Sequence, residues 1–196
     1  MMVLDRPATA WRWDVDKLHT ALDSGLIAGD ERLELIDGFL EDKMPQTDFH
    51  ASLVDFLVDA LREAYGVGHT ARSSQPVRLG KYSEPEPDIA VMRGVRDDFL
   101  GRKPGPTEIT LIVEVSFTTL AFDLGRKKAL YARHGVEEYH VYDLEHERLE
   151  IFTRPDPSGE YLSHVTVLAD GEIPRLGLTL GPLLARARGE APHVGG

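Results

Sequence analysis

The run I-T-L-I-V-E-V-S, from Ile109 to Ser116, limits the architecture more than any other stretch of the chain. Leu111, Ile112, Val113 and Val115 leave no polar face, the pattern of a strand covered on both sides. Such strands belong to α/β sheets, and this one carries a carboxylate, Glu114. An ionised carboxylate in that setting is costly unless it is paired or bound to a cation. Ser116-Phe117-Thr118-Thr119 come directly after it, which puts Glu114 at the C-terminal end of the strand. Ligands in open α/β sheets collect at that end.

The flanking segments supply the rest of the sheet. Asp123 to His134 has the composition of a helix closed by Gly135, and Glu138 to Asp143 is a second strand. Together they predict a parallel crossover between Glu114 and Tyr139. Arg148 to Thr153 completes a hairpin across Glu145–Glu147, and Tyr161 to Leu168 adds a strand. Upstream, Val15 to Leu26 places Val15, Leu18 and Leu22 at helical spacing, with Gly25 as a stop. Asp37-Gly38 between two short apolar runs is a two-residue hairpin signal. Pro45 to Asp48 is a loop in which Thr47 or Asp48 can cap the next helix, Phe49 to Tyr65, ended by Gly66 and Gly68. Strands are expected over Arg72 to Leu79 and Asp88 to Met92. Leu176 to Ala187 gives a short strand or turn and a terminal helix.

The expected fold is therefore a single α/β domain over residues 1–196, with a core of about 30–185 and a disordered tail at 188–196. A mixed central sheet is flanked by helices, preceded by an N-terminal helix and hairpin. A length of 196 residues and 42% hydrophobic content suit one globular core. The chain has no cysteine, which excludes disulfides and thiolate–metal sites. No apolar run is long enough to span a bilayer, and the opening M-M-V-L-D-R-P lacks signal-peptide regions. A cytoplasmic protein is expected.

The balance of 22 basic against 33 acidic residues gives a net charge of −11. That weighs against broad, non-specific binding of nucleic-acid phosphates. It leaves room for a nuclease, because a metal ion inverts the local charge. The groups Arg93 and Arg96, Arg102 and Lys103, and Arg126-Lys127-Lys128 are read mostly as solvated charges.

Three residues carry the chemistry. Asp88 opens the strand Ile89-Ala90-Val91-Met92, after the extended S-E-P-E-P. Period two puts Glu84, Glu86 and Asp88 on one side; Glu84 and Glu86 are read as solvated loop acids. Asp88 and Glu114 on neighbouring strands, with a nearby ammonium, suit a Mg²⁺-dependent site for phosphodiester hydrolysis. Lys127 is the candidate ammonium, with Tyr131 one turn further on. Lys127 also lies four positions after Asp123, so a helix-surface ion pair competes, and Lys128 competes for the assignment. His50 is the one histidine with a suggestive address, at the start of a helix. The chain has no H-E-x-x-H, G-x-S-x-G, P-loop or G-x-G-x-x-G, leaving metalloprotease, serine-hydrolase, NTP and dinucleotide readings without support.

With these residues in hand, the chain resembles the Uma-type putative restriction endonuclease family of the PD-(D/E)XK nuclease superfamily. The matching pieces are L-E-L-I-D-G-F-L near Glu34, His50, Q-P-V-R-L at Gln75, E-P-E-P-D-I-A-V at Asp88, and I-V-E-V-S at Glu114. D-L-G-R-K-K-A-L-Y ending at Tyr131 and G-V-E-E-Y-H-V-Y-D ending at Asp143 complete the set. Their order covers roughly residues 30 to 185. The resemblance implies a restriction-endonuclease-like core and a metal-dependent endonuclease acting on nucleic acid, DNA in the first place. It makes Asp88 and Glu114 the Mg²⁺ or Mn²⁺ ligands, with the Val115 carbonyl as a further donor. The superfamily's usual lysine, two residues after the acid, is Ser116 here; the resemblance moves that role to Lys127. Glu34 and His50 are implied as supporting members of the site. The Trp often found in the last motif is His140 here. The alternatives are a non-catalytic nucleic-acid- or protein-binding module on the same fold and an oligomeric scaffold; a homodimer is compatible with any of them.

Overall fold

The computed structural model describes residues 10–28, 31–43 and 46–190. Its centre is a six-stranded mixed sheet. Across the sheet the strands are His69–Ser73 (β3), Ile89–Arg93 (β4), Ile109–Ser116 (β5), Glu138–Asp143 (β6), Arg148–Pro155 (β7) and Tyr161–Val167 (β8). Within it β5 and β6 run parallel, with Glu114 opposite Val141, and the other neighbours are antiparallel. This is the crossover that the sequence predicts, and β5 has the predicted bounds.

Period-two alternation sorts the side chains of β5 into two cores. Leu111, Val113 and Val115 pack with Ile89 and Val91 beneath the helix α2 (Asp48–Tyr65). Ile112 points the other way, into a core with Ala90, Met92, Leu130 and Tyr131. Glu114 is two residues from Ile112 and therefore shares this second face. Both faces are closed by elements with complementary apolar stripes. On α2, Leu53, Leu57 and Leu61 recur at helical spacing and are fully or nearly buried. Truncating Leu57 to alanine is worth about 2–5 kcal/mol at such a site.

Local chemistry explains the ends of these elements. Thr47 is extended, and its hydroxyl accepts from the His50 N–H at 3.2 Å, so threonine caps α2 and fixes His50 in its first turn. The preceding Pro45 lies outside the described residues. Asp37 and Gly38 both have positive φ, at 52° and 83°, as a type I′ turn requires. They join β1 (Leu33–Ile36) to β2 (Phe39–Asp42). Leu35 exchanges two backbone hydrogen bonds with Glu84, which docks this hairpin beside Asp88. The first helix, α1 (Val15–Asp23), ends earlier than expected, with Ser24 as its C-cap. At the far end, α5 (Leu180–Ala187) packs beside α2. Arg188 pairs with Glu147, and the Glu190 N–H reaches the Ala185 carbonyl. Of the expected tail, 191–196 lie outside the described residues.

Two expectations change. The strand expected over Arg72 to Leu79 is β3 at 69–73 instead. Ser74 has φ 48° and Pro76 offers no N–H, so the chain leaves the sheet there. Val77 and Leu79 then donate to the Pro85 and Ser83 carbonyls. The helix expected from Asp123 to His134 has three pieces: a turn of α-helix, α3 (Leu120–Phe122), a π-helical turn at Asp123–Lys127, and α4 (Lys128–Arg133).

Candidate active site

The alternation of β5 and the start of β4 bring two carboxylates together. The Asp88 N–H donates to Glu114 Oε2 at 3.3 Å, and the Val115 N–H donates to Asp88 Oδ2 at 2.8 Å. His50 Nε2 approaches the same Oδ2 at 3.1 Å, and Gln46 Nε2 lies 3.4 Å from Oδ1. Burial works to raise the Asp88 pKa. The His50 contact, the Val115 N–H and the charge of Lys43 outweigh it, and the carboxyl is held below the usual range.

Glu114 has the opposite balance. It is fully buried, and burial pushes its pKa up to about 8; Lys127 opposes the rise, while Asp88, Asp123 and Glu34 add to it. Its Oε1 accepts from Lys127 Nζ at 3.1 Å and from the Tyr131 hydroxyl at 3.0 Å. Lys127 is 4% exposed and also lies 3.1 Å from Glu34 Oε1. Burial alone would lower its pKa, but Glu114, Glu34 and Asp123 raise it, so the ammonium stays charged. Glu34 is fixed in turn by the Glu86 N–H at 3.2 Å.

All five site residues named from the sequence, Asp88, Glu114, Lys127, His50 and Glu34, therefore line one cavity of about 350 Å³. The π-turn explains how Lys127 gets there. The Lys128 N–H bonds back to the Asp123 carbonyl, five residues away. One extra residue in the turn rotates the downstream helix by about 100° relative to an unbroken α-helix. Lys127 faces inward, while Lys128 lies over the Phe152 ring and 3.4 Å from Glu160.

Three expectations are corrected. Asp123 is no surface partner of Lys127: it is buried and accepts from the Ser116 and Thr119 hydroxyls, each at 2.6 Å. Its pKa is raised by burial, against the pull of Lys127 and those hydroxyls. Ser116 thus holds the π-turn. Glu84 is buried, with Oε1 2.8 Å from both His19 and Lys103. Glu86 pairs with Lys43 at 2.7 Å. Gln46 and Asp123 are additions that sequence reasoning missed. Gln46 carries no pattern of its own, and the i,i+4 spacing of Asp123 pointed to the surface.

Does this set suit a divalent cation? Among the described residues, no group of three or more His, Asp or Glu side chains converges to hold a metal. The donors the structure brings together are the two adjacent carboxylates of Asp88 and Glu114. Mg²⁺ commonly uses one or two carboxylates and fills its remaining positions with water and phosphate oxygens. Glu34, Glu114 and Asp123 face one buried lysine, and the negative charge of Asp88, Asp123 and Glu34 adds to the burial that raises Glu114. A hard cation fits that imbalance. Among the described residues His50 Nδ1 is buried without a hydrogen-bond partner, so the ring presents a free nitrogen.

A six-stranded mixed sheet flanked by helices, with this cleft at the β4–β5 ends, defines a nuclease-like α/β fold. The family model described as "Uma2: Putative restriction endonuclease" matches residues 18–186, and the chain belongs to that family. Among solved structures, the chain is similar to a "putative nuclease belonging to DUF820" from Anabaena variabilis ATCC 29413. The TM-score is 0.60 at 16% identity, over 79% of this chain and 90% of that one. At that identity the likeness concerns the fold. No curated protein matches the sequence. Among the described residues no helix is long and apolar enough to cross a membrane.

Proposed function

We propose that this protein is a Mg²⁺- or Mn²⁺-dependent endonuclease that hydrolyses phosphodiester bonds in DNA. The observation that carries the proposal is the meeting of Asp88, Glu114 and Lys127 within hydrogen-bonding range of one another's partners in a single cleft. Asp88 and Glu114 would hold the cation, with the Val115 carbonyl as a further donor. The ion, when bound, supplies Lewis acidity at the scissile phosphate and lowers the pKa of a water. Lys127, kept charged between Glu34 and Glu114, orients the attacking water or offsets charge on the phosphate in the transition state. His50 steadies Asp88 through Nε2, with Nδ1 left without a partner among the described residues. Glu34 holds Lys127 in place. A cytoplasmic setting belongs to the proposal and suits a cysteine-free chain.

The test is cleavage of DNA and RNA substrates with Mg²⁺ and Mn²⁺, run beside Asp88→Ala. Metal-dependent DNA products from the wild type alone are expected. The same products from Asp88→Ala would overturn the assignment. Ser116 at the superfamily's lysine position favours a second reading, a non-catalytic nucleic-acid-binding module. That reading expects no cleavage and no thermal stabilisation by Mg²⁺.

A further inference from the structure

A second concavity, of about 740 Å³, lies along the outer side of β3. Its lining includes Arg62, His69, Arg72 and Arg96 and, among the described residues, contains no aspartate or glutamate. In a chain with eleven more acidic than basic residues, that composition is unusual. Most other cationic side chains near it are already matched. Arg102 makes a two-pronged contact with Glu108, Arg78 reaches Asp16, and Lys103 reaches Glu84.

Arg72 differs. Among the described residues the partly buried arginines are Arg72, Arg126, Arg148 and Arg188. Arg126 pairs with Glu41, Arg148 with Asp143 and Glu150, and Arg188 with Glu147. Of these four, Arg72 alone has no carboxylate in ion-pair range among the described residues. Its Nε is buried without a hydrogen-bond partner there, and its guanidinium lies 5.5 Å from the Phe99 ring centre. Burial lowers its pKa, and the one neighbouring charge acting on it is another cation, Arg102. Exposed Arg96 also lines the groove and has no ion pair among the described residues. The Phe99 ring flanks one guanidinium while its Nε stays unmatched, and an oxyanion with several acceptors completes such a site.

The groove lies close enough to the cleft to share one ligand with it. Arg72 is opposite Ala90, which is opposite Ile112. Two strand spacings and one two-residue step separate Arg72 from Glu114, roughly 12 Å between Cα atoms. That equals the axial rise of three or four nucleotides at about 3.4 Å each. The end of β3 is tied to the cleft directly, because the Ser74 N–H donates to the Asp88 carbonyl at 3.0 Å.

We infer that the groove of Arg72 and Arg96 binds the phosphate backbone of the nucleic acid a few nucleotides away from the bond placed at Asp88 and Glu114. The choice of nucleic acid as the occupant rests on the nuclease reading of the cleft. The edge of β3 also supplies unpaired backbone groups, since no strand lies outside it among the described residues.

The test combines two measurements on the full chain. Binding of a fluorescein-labelled DNA duplex is measured in Ca²⁺ across about 50–200 mM salt. Hydrolysis of thymidine 5′-(p-nitrophenyl phosphate) with Mn²⁺ reports the cleft without the groove. Arg72→Gln, Arg96→Gln, the double variant and a control, Arg154→Gln, are compared with the wild type. Each groove substitution is expected to weaken duplex binding about eightfold at 0.1 M salt and to lower the log–log salt slope by about 0.9. Hydrolysis of the small diester stays unchanged, and so does the control. Arg96→Gln, at an exposed position, keeps the test valid should Arg72→Gln fold poorly.

Duplex binding and slope unchanged in the double variant, with the small diester still hydrolysed, would overturn the groove alone. Loss of binding in the double variant of a protein that never hydrolyses the small diester would overturn the nuclease reading and keep the groove. Tighter groove-dependent binding of poly-glutamate than of the duplex would assign the groove to an acidic protein, against the inference. So would variants that bind normally but aggregate, since the arginines would then be guards of an open sheet edge.

Discussion

The cleft and the β3 groove are charge-incomplete in opposite senses. The cleft gathers Glu34, Asp88, Glu114 and Asp123 around a buried Lys127. The groove gathers Arg72, Arg96 and His69 with no acid among its described lining residues, next to an Arg62 already paired with Asp59. In the cleft the surplus is negative and buried, and Glu114 is raised; in the groove it is positive and half open to solvent. The cleft can be completed by a small, hard cation and the groove by an extended oxyanion. A phosphodiester strand with its metal supplies both, which neither region demands when taken alone.

The largest effect that would break this contrast is at the carboxylates. Asp88→Ala or Glu114→Ala is expected to reduce metal-dependent cleavage to background, while duplex binding through the groove persists. A gel-based cleavage assay beside the anisotropy titration checks both halves. Residual cleavage near the wild-type rate in either variant would remove the cleft from the mechanism.

Next comes Lys127→Met, which removes the cation buried among the carboxylates. A fall of about 10²–10³-fold in kcat is expected from losing one preorganised charge. The variant also leaves Glu34 and Glu114 facing each other without compensation, a destabilisation of about 3–5 kcal/mol. Urea denaturation and steady-state kinetics read these separately. Arg72→Gln, by contrast, should raise the KM for duplex with little change in kcat.

Local physics accounts for the parts of the molecule that were legible in the sequence. β5 announced itself because its apolar residues leave no polar face and suit only a doubly covered strand, and Asp37-Gly38 because few pairs accept two positive φ values. His50 was placed by the cap at Thr47. Asp88, Glu114 and His50 were legible because each sits at the end of such an element, whereas Lys127 was preferred to Lys128, and Glu34 named, through the family resemblance alone. Less legible were features that depend on where separate elements meet. Glu84 and Glu86 look like solvated acids until His19, Lys103 and Lys43 arrive from distant segments. The groove was hidden for the same reason: Arg72 lies in a short polar strand, and its isolation from carboxylates is a fact of three dimensions. The π-turn defeats helical counting, since one inserted residue turns the residues that follow by about 100°.

A smaller effect concerns pH in the metal-free protein. Burial raises Glu114 from near 4.5 to about 8, and Asp123 moves in the same direction. A carboxyl whose folded pKa is raised contributes stability that is complete below its unfolded value. That contribution is lost as pH rises through the folded value. In EDTA, the Glu114 contribution to stability is therefore expected to decline between about pH 4.5 and about pH 8, by up to about 1.4 kcal/mol per unit. Glu114→Gln should flatten the decline, while Arg96→Gln should leave it intact. A thermal-melt series across that window decides; stability rising through it would contradict the assignment of Glu114 as the acid whose burial outweighs its pairing with Lys127.

The smallest effect is also the sharpest comparison, because it sets two adjacent lysines against each other. Lys128 is partly exposed, 3.4 Å from a largely exposed Glu160 and stacked on Phe152. A surface ion pair of this kind is worth about 0–1 kcal/mol, and a cation–π contact at such a site about 0.5–1 kcal/mol. Lys128→Met should therefore cost about 1 kcal/mol or less and leave cleavage untouched, whereas Lys127→Met abolishes most of it. An uninterrupted α-helix through 123–133 would rotate the lysines by about one residue's turn and make the pair more nearly equivalent. Equal kinetic losses in the two variants would thus count against the π-turn itself, and with it the route by which Lys127 reaches Glu114.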